Sequence, residues 1–433
     1  MSNGTDRSDA LVVGGGLAGL VAAVYLGRGG LRVTLVERAS ELGGRASTTR
    51  DGGFAMNRGP HALFVRGEAL ETLRELGVPV PSGAAPIDGH ALSRGELHRL
   101  PVGSLSLFST TLLGFRDKAA FAGLLAKIPR LDPRPLAGKS IAEWLDDTGA
   151  SPDVRALMET FFRLATYANA PDRASVETAI RQVQKAAAGV LYVDGGWKTL
   201  TDGLLAQARR LGVRLVPGAR ATSLGHAAGG YAVGLADGRV LEGRTVVLAV
   251  APRHASALVQ TAGIDVPGSL SSSEPVRAAA LDVALSALPN PEKRFVIGVD
   301  RPLYLSVHST VAKLAPDGGA LVHVAKYLPA GPSDPDADRA ELEALLELAQ
   351  PGYRDVLVRA EYLPRIRVAE RLDLAREGGR AGRPSVALSE LPGVFLAGDW
   401  VREGSWLADA AAGSARAAAR AASAHVGAEK AVA

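Results

Sequence analysis

A hexapeptide near the N-terminus, Gly14-Gly15-Gly16-Leu17-Ala18-Gly19, restricts this chain more than any other feature. It fits the spacing G-x-G-x-x-G. It follows an apolar run at 11–13 and opens a run of helical character over 20–29, which ends in Gly29-Gly30, a natural C-cap. Residues 31–37 then read as a second strand. Strand, glycine turn, helix and strand in that order make a βαβ unit. The first glycine makes the tight turn, the second lets the backbone approach a pyrophosphate, and the third lets the helix pack on the strand. The helix N-terminus offers N–H groups and the positive end of a dipole to the phosphates. Gly14, Gly15, Gly16, Leu17, Ala18 and Gly19 are therefore candidate dinucleotide contacts. Glu37 closes the second strand, with Arg38 beside it in the same candidate segment. A carboxylate there accepts hydrogen bonds from the adenosine ribose and repels a 2′-phosphate, which disfavours NADP.

The rest of the sequence narrows the class. A length of 433 residues predicts two domains. The absence of cysteine excludes disulfides, thiolate metal sites, iron–sulfur clusters and a cysteine nucleophile. The 49 basic and 45 acidic residues are mixed, with no Lys/Arg block, so a nucleic-acid partner is not expected. No run of about 18 apolar residues is present to span a bilayer. The polar residues 1–8 do not read as a secretory signal, and a cytoplasmic protein is expected. No metal-ligand spacing or G-x-S-x-G elbow occurs. Gly138-Lys139-Ser140 is not a P-loop, because Pro133 stands where the loop requires glycine. A second G-x-G-x-x-G is absent, which argues against a separate NAD(P)H site.

Along the chain, 68–185 reads as mainly helical and punctuated by prolines, as an inserted cap would be. Strand patterns return at 213–216, 231–235 and 245–250. A second block at 278–285, 295–299, 303–306 and 320–327 predicts a sheet of its own. Residues 334–338 are acidic and read as a solvent loop. The chain closes with a strand at 393–396, an Ala-rich helix over 408–425 and a frayed tail from 427. The expected fold is α/β: a Rossmann-type dinucleotide domain with a discontinuous α+β substrate domain and helical cap. The boundaries predicted are 8–75, 190–256 and 384–428 for the first, and 76–189 and 257–383 for the second. The run at 107–128, rich in Leu and Phe, reads as cap helices packed on the core, with peripheral contact to a membrane as its alternative use.

Leu42-Gly43-Gly44-Arg45, Gly59-Pro60-His61, Gly218-Ala219-Arg220-Ala221, Phe395-Leu396-Ala397-Gly398-Asp399 and Trp406-Leu407-Ala408 stand in that order. In these segments the sequence resembles the flavin amine-oxidase superfamily, which includes monoamine oxidases, protoporphyrinogen oxidases and phytoene-type desaturases. The resemblance implies one non-covalent FAD. It implies that Gly44 and Arg45 lie along the diphosphate, and that Gly59, Pro60 and His61 run under the flavin ring. It further implies that the backbone of Ala221 touches adenine, that Asp399 with Gly398 binds the ribityl or diphosphate groups, and that Leu407 and Ala408 point a helix N-terminus at the flavin N1–C2=O edge. A helix N-terminus there stabilises the anionic reduced ring.

Two candidate catalytic residues follow from the same likeness. Trp406 falls where a ring-flanking aromatic is expected, with Tyr362 or Trp400 as its partner, and His61 is placed to line or tune the flavin. The stretch 276–281 has no lysine where amine oxidases carry one, while Ala315-Pro316-Asp317-Gly318 resembles desaturases. The expected function is hydride transfer from a C–C or C–N unit of a hydrophobic small metabolite to flavin N5. Oxygen, a quinone or another soluble acceptor would remove the electrons. Amine oxidation and a redox-neutral isomerisation are the alternatives.

Overall fold

The computed structural model describes residues 7–86, 88–266, 268–271 and 273–432, with side chains through residue 428. Ser8–Val13 is buried along its whole length and lies between Val33–Val36 and Val240–Leu248, parallel to both. Unbroken apolar strands of this kind belong in a sheet covered on both faces. Arg214–Val216 extends the sheet beside Val33–Val36, and Val394–Leu396 joins the C-terminal end of Val240–Leu248, again in parallel. The N-terminal end of that same strand runs antiparallel to Gly230–Leu235, which pairs with Ala221–Ala227. Helices Leu17–Arg28, Lys198–Arg210 and Leu407–Val432 cover one face, and Pro252–Thr261 packs on the other with Trp400.

The second sheet has seven strands in the order Leu357–Ala369, Val276–Leu285, Ala320–Tyr327, Leu303–Val307, Phe295–Gly298, His90–Ser93, Glu96–Arg99. Its two faces differ in chemistry because successive side chains alternate. Leu281, Val283, Val322, Val324, Leu303 and Leu305 pack with Leu342, Leu345 and Leu346 of helix Pro335–Ala349. The residues between them in sequence, among them Asp282, His323, Tyr304 and Ser306, occupy the opposite face, where Asp282, His323 and Ser306 stand in one cross-strand row. Helices Phe115–Lys127, Ile141–Thr148, Pro152–Thr166 and Val176–Ala186 form a cap with its own apolar core.

Several expectations change. The hairpin of His90–Ser93 and Glu96–Arg99 lies inside the stretch read as helical. Each strand has only four residues, and the pairing of His90 with Val296 that secures them is remote in sequence. Leu357–Ala369 was not anticipated as a strand. It is an edge strand that carries Pro364, and its register with Val276–Leu285 slips between Ala278 and Ala280, opposite that proline. The acidic 334–338 segment starts a helix rather than a loop: the Asp334 carboxylate accepts the Asp336 and Ala337 N–H groups at 3.0 and 3.3 Å. The final helix continues through Val432 instead of fraying at 427. The 107–128 run is broken into Ser104–Ser109 and Phe115–Lys127. Ser140, in the false P-loop, instead caps Ile141–Thr148 in a capping box with Glu143.

Candidate cofactor and substrate site

The glycine turn is shaped by close approach. Gly14 has φ +109°, and a Cβ there would meet the Ala249 carbonyl oxygen at 2.3 Å. At Gly19 a Cβ would fall 1.7 Å from the Gly14 oxygen, so the helix can pack here only without one. Gly16 is different, since a Cβ would find nothing within 4 Å. Gly16 is also the N-cap of Leu17–Arg28 and no side chain caps that end. The N-terminal end of this helix thus borders open space at Gly16, which fits a diphosphate.

Glu37 stands at the same end of the sheet, half-buried. Its Oε2 accepts the Gly15 N–H at 2.7 Å and its Oε1 accepts the Ala39 N–H at 2.8 Å. Arg38 is exposed beside it. The Ala219 N–H donates to the Glu37 carbonyl at 2.8 Å and the Gly218 N–H to Ala39 at 2.8 Å. These bonds bring Ala221, at the start of its strand, to the Glu37 corner.

Two motifs far apart in sequence meet at Arg45. Its guanidinium makes a bidentate pair with the Asp399 carboxylate, both bonds 2.8 Å, and donates to the Val368 carbonyl at 2.8 Å. Asp399 is buried and also accepts the Glu370 N–H at 3.1 Å. Burial pulls the Arg45 pKa down, but the charge and hydrogen bonds of Asp399 more than offset it, and the guanidinium stands above its ordinary value. Gly44 is exposed above the turn, and a Cβ on it would lie 3.3 Å from Gly16 Cα. Gly398 donates its N–H to Ser414 at 2.9 Å. Leu407, at φ +52°, and Ala408 open the last helix and are half-buried.

Gly59, Pro60 and His61 lie on the polar face of the second sheet. The Gly59 N–H donates to Asp282 Oδ2 at 2.7 Å, and a Cβ at Gly59 would meet Ile366 at 2.8 Å. The two ring nitrogens of His61 face the Gly59 and Arg45 carbonyls at 3.0 and 3.2 Å. Burial lowers its pKa and favours the neutral imidazole, with a smaller push from His323 in the same direction.

Beneath this segment is a cluster whose residues belong to no sequence motif. The Asp282 carboxylate is 2.7 Å from His323 Nδ1, and both side chains are fully buried. His308 lies 4.4 Å from the His323 ring and stacks on Tyr192 with centroids 3.6 Å apart. The Tyr304 hydroxyl is 3.3 Å from His308 Nε2, and Tyr327 packs edge-on against Tyr167 at 5.7 Å. Burial raises the pKa of all four tyrosines, that of Tyr192 included. The legible signal was a lone Asp or His in an otherwise apolar strand, at Asp282 and His323, which costs stability unless partnered.

Trp406, expected beside the flavin, is instead enclosed in the cap core. It is 1% exposed, its indole N–H donates to the Thr166 carbonyl at 3.0 Å, and the Arg383 guanidinium lies 5.3 Å over its ring. Its spacing from Gly398 suits either place, and in the fold it belongs to the same apolar core as Phe162 and Val276. Neither proposed partner faces the site. Trp400 donates to the Val250 carbonyl at 3.1 Å in the core of the first domain, and Tyr362 donates to Pro335 at 2.6 Å on the helix-covered face of the second sheet. The lysines that follow 276–281 lie elsewhere. Lys326 is paired with Asp338 and Glu341 at 2.8 and 2.7 Å, Lys293 is 2.8 Å from His90, and Lys313 is exposed.

Comparison with known proteins gives the family and the fold. Residues 17–281 match the family described as flavin containing amine oxidoreductase. A coproporphyrinogen III oxidase of Propionibacterium freudenreichii subsp. freudenreichii is 37% identical over 136 residues, 28% of this chain and 25% of that protein. A phytoene dehydrogenase of Streptomyces griseus is 53% identical over 53 residues, 12% of this chain and 10% of that protein. The chain therefore matches well under two thirds of either relative's length. A solved putrescine oxidase with bound putrescine superposes with a TM-score of 0.75 at 16% identity, over 96% of this chain and 98% of that one, a likeness of fold. Among the described residues no helix is long and apolar enough to cross a membrane. The chain belongs to the flavin containing amine oxidoreductase family.

Proposed function

We propose that the chain binds FAD non-covalently and dehydrogenates a C–C or C–N unit of a hydrophobic small metabolite. The observation that carries this reading is the inward face of the second sheet. It carries Ala280, Tyr304, Ala325 and Tyr327, its polar Asp282 and Ser306 are already bonded to His323 and Tyr192, and Tyr167, Tyr192 and His308 pack against it next to the Gly59–His61 segment. Such a wall suits an apolar substrate, and the lysines discussed above point away from it. Bound FAD would supply a hydride acceptor. The protein's part is then to orient carbon against it and keep water out. The stretches 8–75, 190–256 and 384–428 hold the cofactor in this reading, and 76–189 and 257–383 enclose the substrate. Oxygen, a quinone or another soluble acceptor takes the electrons. His61 lines the ring as a neutral imidazole.

The test begins with an absorption spectrum before and after acid precipitation. Yellow colour remaining in the supernatant supports non-covalent FAD, and colour in the pellet places a tether, first to be sought at His61. Anaerobic bleaching is then screened with polyenes, porphyrinogens and amines. Bleaching by amines alone, with aldehyde released, would replace this reading with amine oxidation. Conversion that needs pre-reduced flavin and no acceptor would replace it with isomerisation.

A further inference from the structure

Three side chains of the cap are exposed to a degree that no other large apolar side chain among the described residues reaches. Leu105 and Phe108 are each 84% exposed and Phe115 is 89% exposed, and the next, Val240, is 61% exposed. They sit on Ser104–Ser109, which buries no residue, and on Phe115–Lys127, which buries only Phe121. Helices this short and this little buried gain few contacts from the fold beneath them. Their inner sides are accounted for: Leu107, Leu112, Leu124 and Leu125 pack on the cap core, and Leu112 also touches the cluster that holds Tyr304 and Tyr327. Lys118 Nζ donates to the Phe108 carbonyl at 2.8 Å and ties the two helices together. Leu105, Phe108 and Phe115 are what the fold leaves unexplained.

The charge around them is one-sided. Between residues 99 and 130 stand Arg99, Arg116, Lys118, Lys127 and Arg130 against a single acid, Asp117, whose Oδ1 already accepts the Ser151 hydroxyl at 2.7 Å. Arg99, Arg116, Lys127 and Arg130 are exposed and make no ion pair among the described residues. Apolar side chains flanked by unpaired cations match an anionic lipid surface, with the rings at the acyl boundary and the bases at the phosphates. A second copy of the chain fits less well. A two-fold contact through this face would set the same arginines against their own images.

We infer that this cap face docks on an anionic membrane surface and holds the aromatic interior over a pool of lipophilic substrate. The inference goes beyond the proposed reaction, and binding is read without turnover, so either can fail alone. The purified flavoprotein is floated with vesicles of phosphatidylcholine containing phosphatidylglycerol and with vesicles of phosphatidylcholine alone. Flotation with the anionic vesicles, weakened by salt, is the expected result. Phe108→Ser with Phe115→Ser lowers it by roughly tenfold or more, and Arg116→Glu with Lys127→Glu lowers it while the flavin spectrum is unchanged. No flotation with anionic vesicles, or equal flotation with neutral ones, overturns the inference. So does a concentration-dependent dimer that Phe108→Ser with Phe115→Ser abolishes in the absence of vesicle binding.

Discussion

The two oxygens of Glu37 each hold one backbone N–H, from Gly15 and from Ala39, and so fix the loop on both sides of the proposed ribose position. Removing the carboxylate leaves those donors to water and takes away a charged acceptor, a loss of about 1.5–3 kcal/mol in such bonds. Glu37→Ala is therefore expected to bind FAD some tenfold or more weakly, and Glu37→Arg more weakly still; the purified variants should show little flavin absorbance until FAD is added in excess. Full flavin content after dialysis would contradict the assignment. A second residue-scale effect concerns pH. Burial holds His308 well below the ordinary 6.5, with His323 and His61 adding to it, and burial lowers His61 as well. Such groups are neutral in the fold and take up protons once unfolded, so the unfolded chain binds more protons. Their stability is fully present above 6.5 and is lost as pH falls from there toward the folded value. The thermal midpoint is expected to drop on acidification from about pH 7 to 5, and His308→Gln to flatten part of that slope. An identical slope in the variant would remove His308 as a source.

At the scale of elements, the glycine turn separates packing from binding. Gly19→Ala puts a methyl 1.7 Å from the Gly14 oxygen, so helix Leu17–Arg28 must shift off its strand. A lower thermal midpoint and reduced soluble yield follow, with a cost of about 1–3 kcal/mol or more. Gly16→Ala meets no protein atom within 4 Å and needs no unusual backbone, since φ there is −76°. It is expected to keep the midpoint and lose FAD affinity, because the new methyl occupies the diphosphate's approach. Equal FAD affinity in Gly16→Ala would mean that the diphosphate lies elsewhere. This unit was legible in the sequence because its parts are contiguous and its spacing is tied to one steric job. The same holds for Arg45 and Asp399 as separate motifs, though only the fold shows that they form one bidentate pair. At Asp282 and His323 the sequence marked each polar residue in its apolar strand but not their pairing, since they come from two strands and neither belongs to a motif. The hairpin at 90–99 was missed for a related reason. Its pairing energy comes from Phe295–Gly298, and nothing local in four-residue strands reports that. Trp406 is a different case, since its side chain packs into the cap core and its spacing from Gly398 does not report that.

Across the whole molecule, one partly buried charge cluster, with Asp409 fully enclosed, joins the cap to the helix expected to face the flavin. Lys185 of Val176–Ala186 pairs with Glu68 of helix Glu68–Glu75 and, at 2.9 Å, with Asp409 in the first turn of Leu407–Val432. Asp409 also accepts the Ala69 N–H at 2.9 Å. Burial raises the Asp409 pKa while Lys185 opposes it, and for Glu68 the lysine outweighs burial and holds the carboxyl below its ordinary range. Three elements distant in sequence are thus held by a single ammonium. Lys185→Met would leave two carboxylates close together with no counter-charge, and breaking a buried pair in this way costs about 3–5 kcal/mol. The expected result is a large fall in the thermal midpoint, with flavin released before the second sheet unfolds, because the N-terminal turn at Leu407 and Ala408 loses its anchor. Adding Asp409→Asn to Lys185→Met removes one stranded charge and should recover part of the midpoint while FAD stays weak, since the amide does not restore the link to the cap. A double variant no more stable than the single one would show that Lys185 acts through Glu68 alone, and a Lys185→Met protein with an unchanged midpoint would show that the cap is held by its apolar core without this cluster.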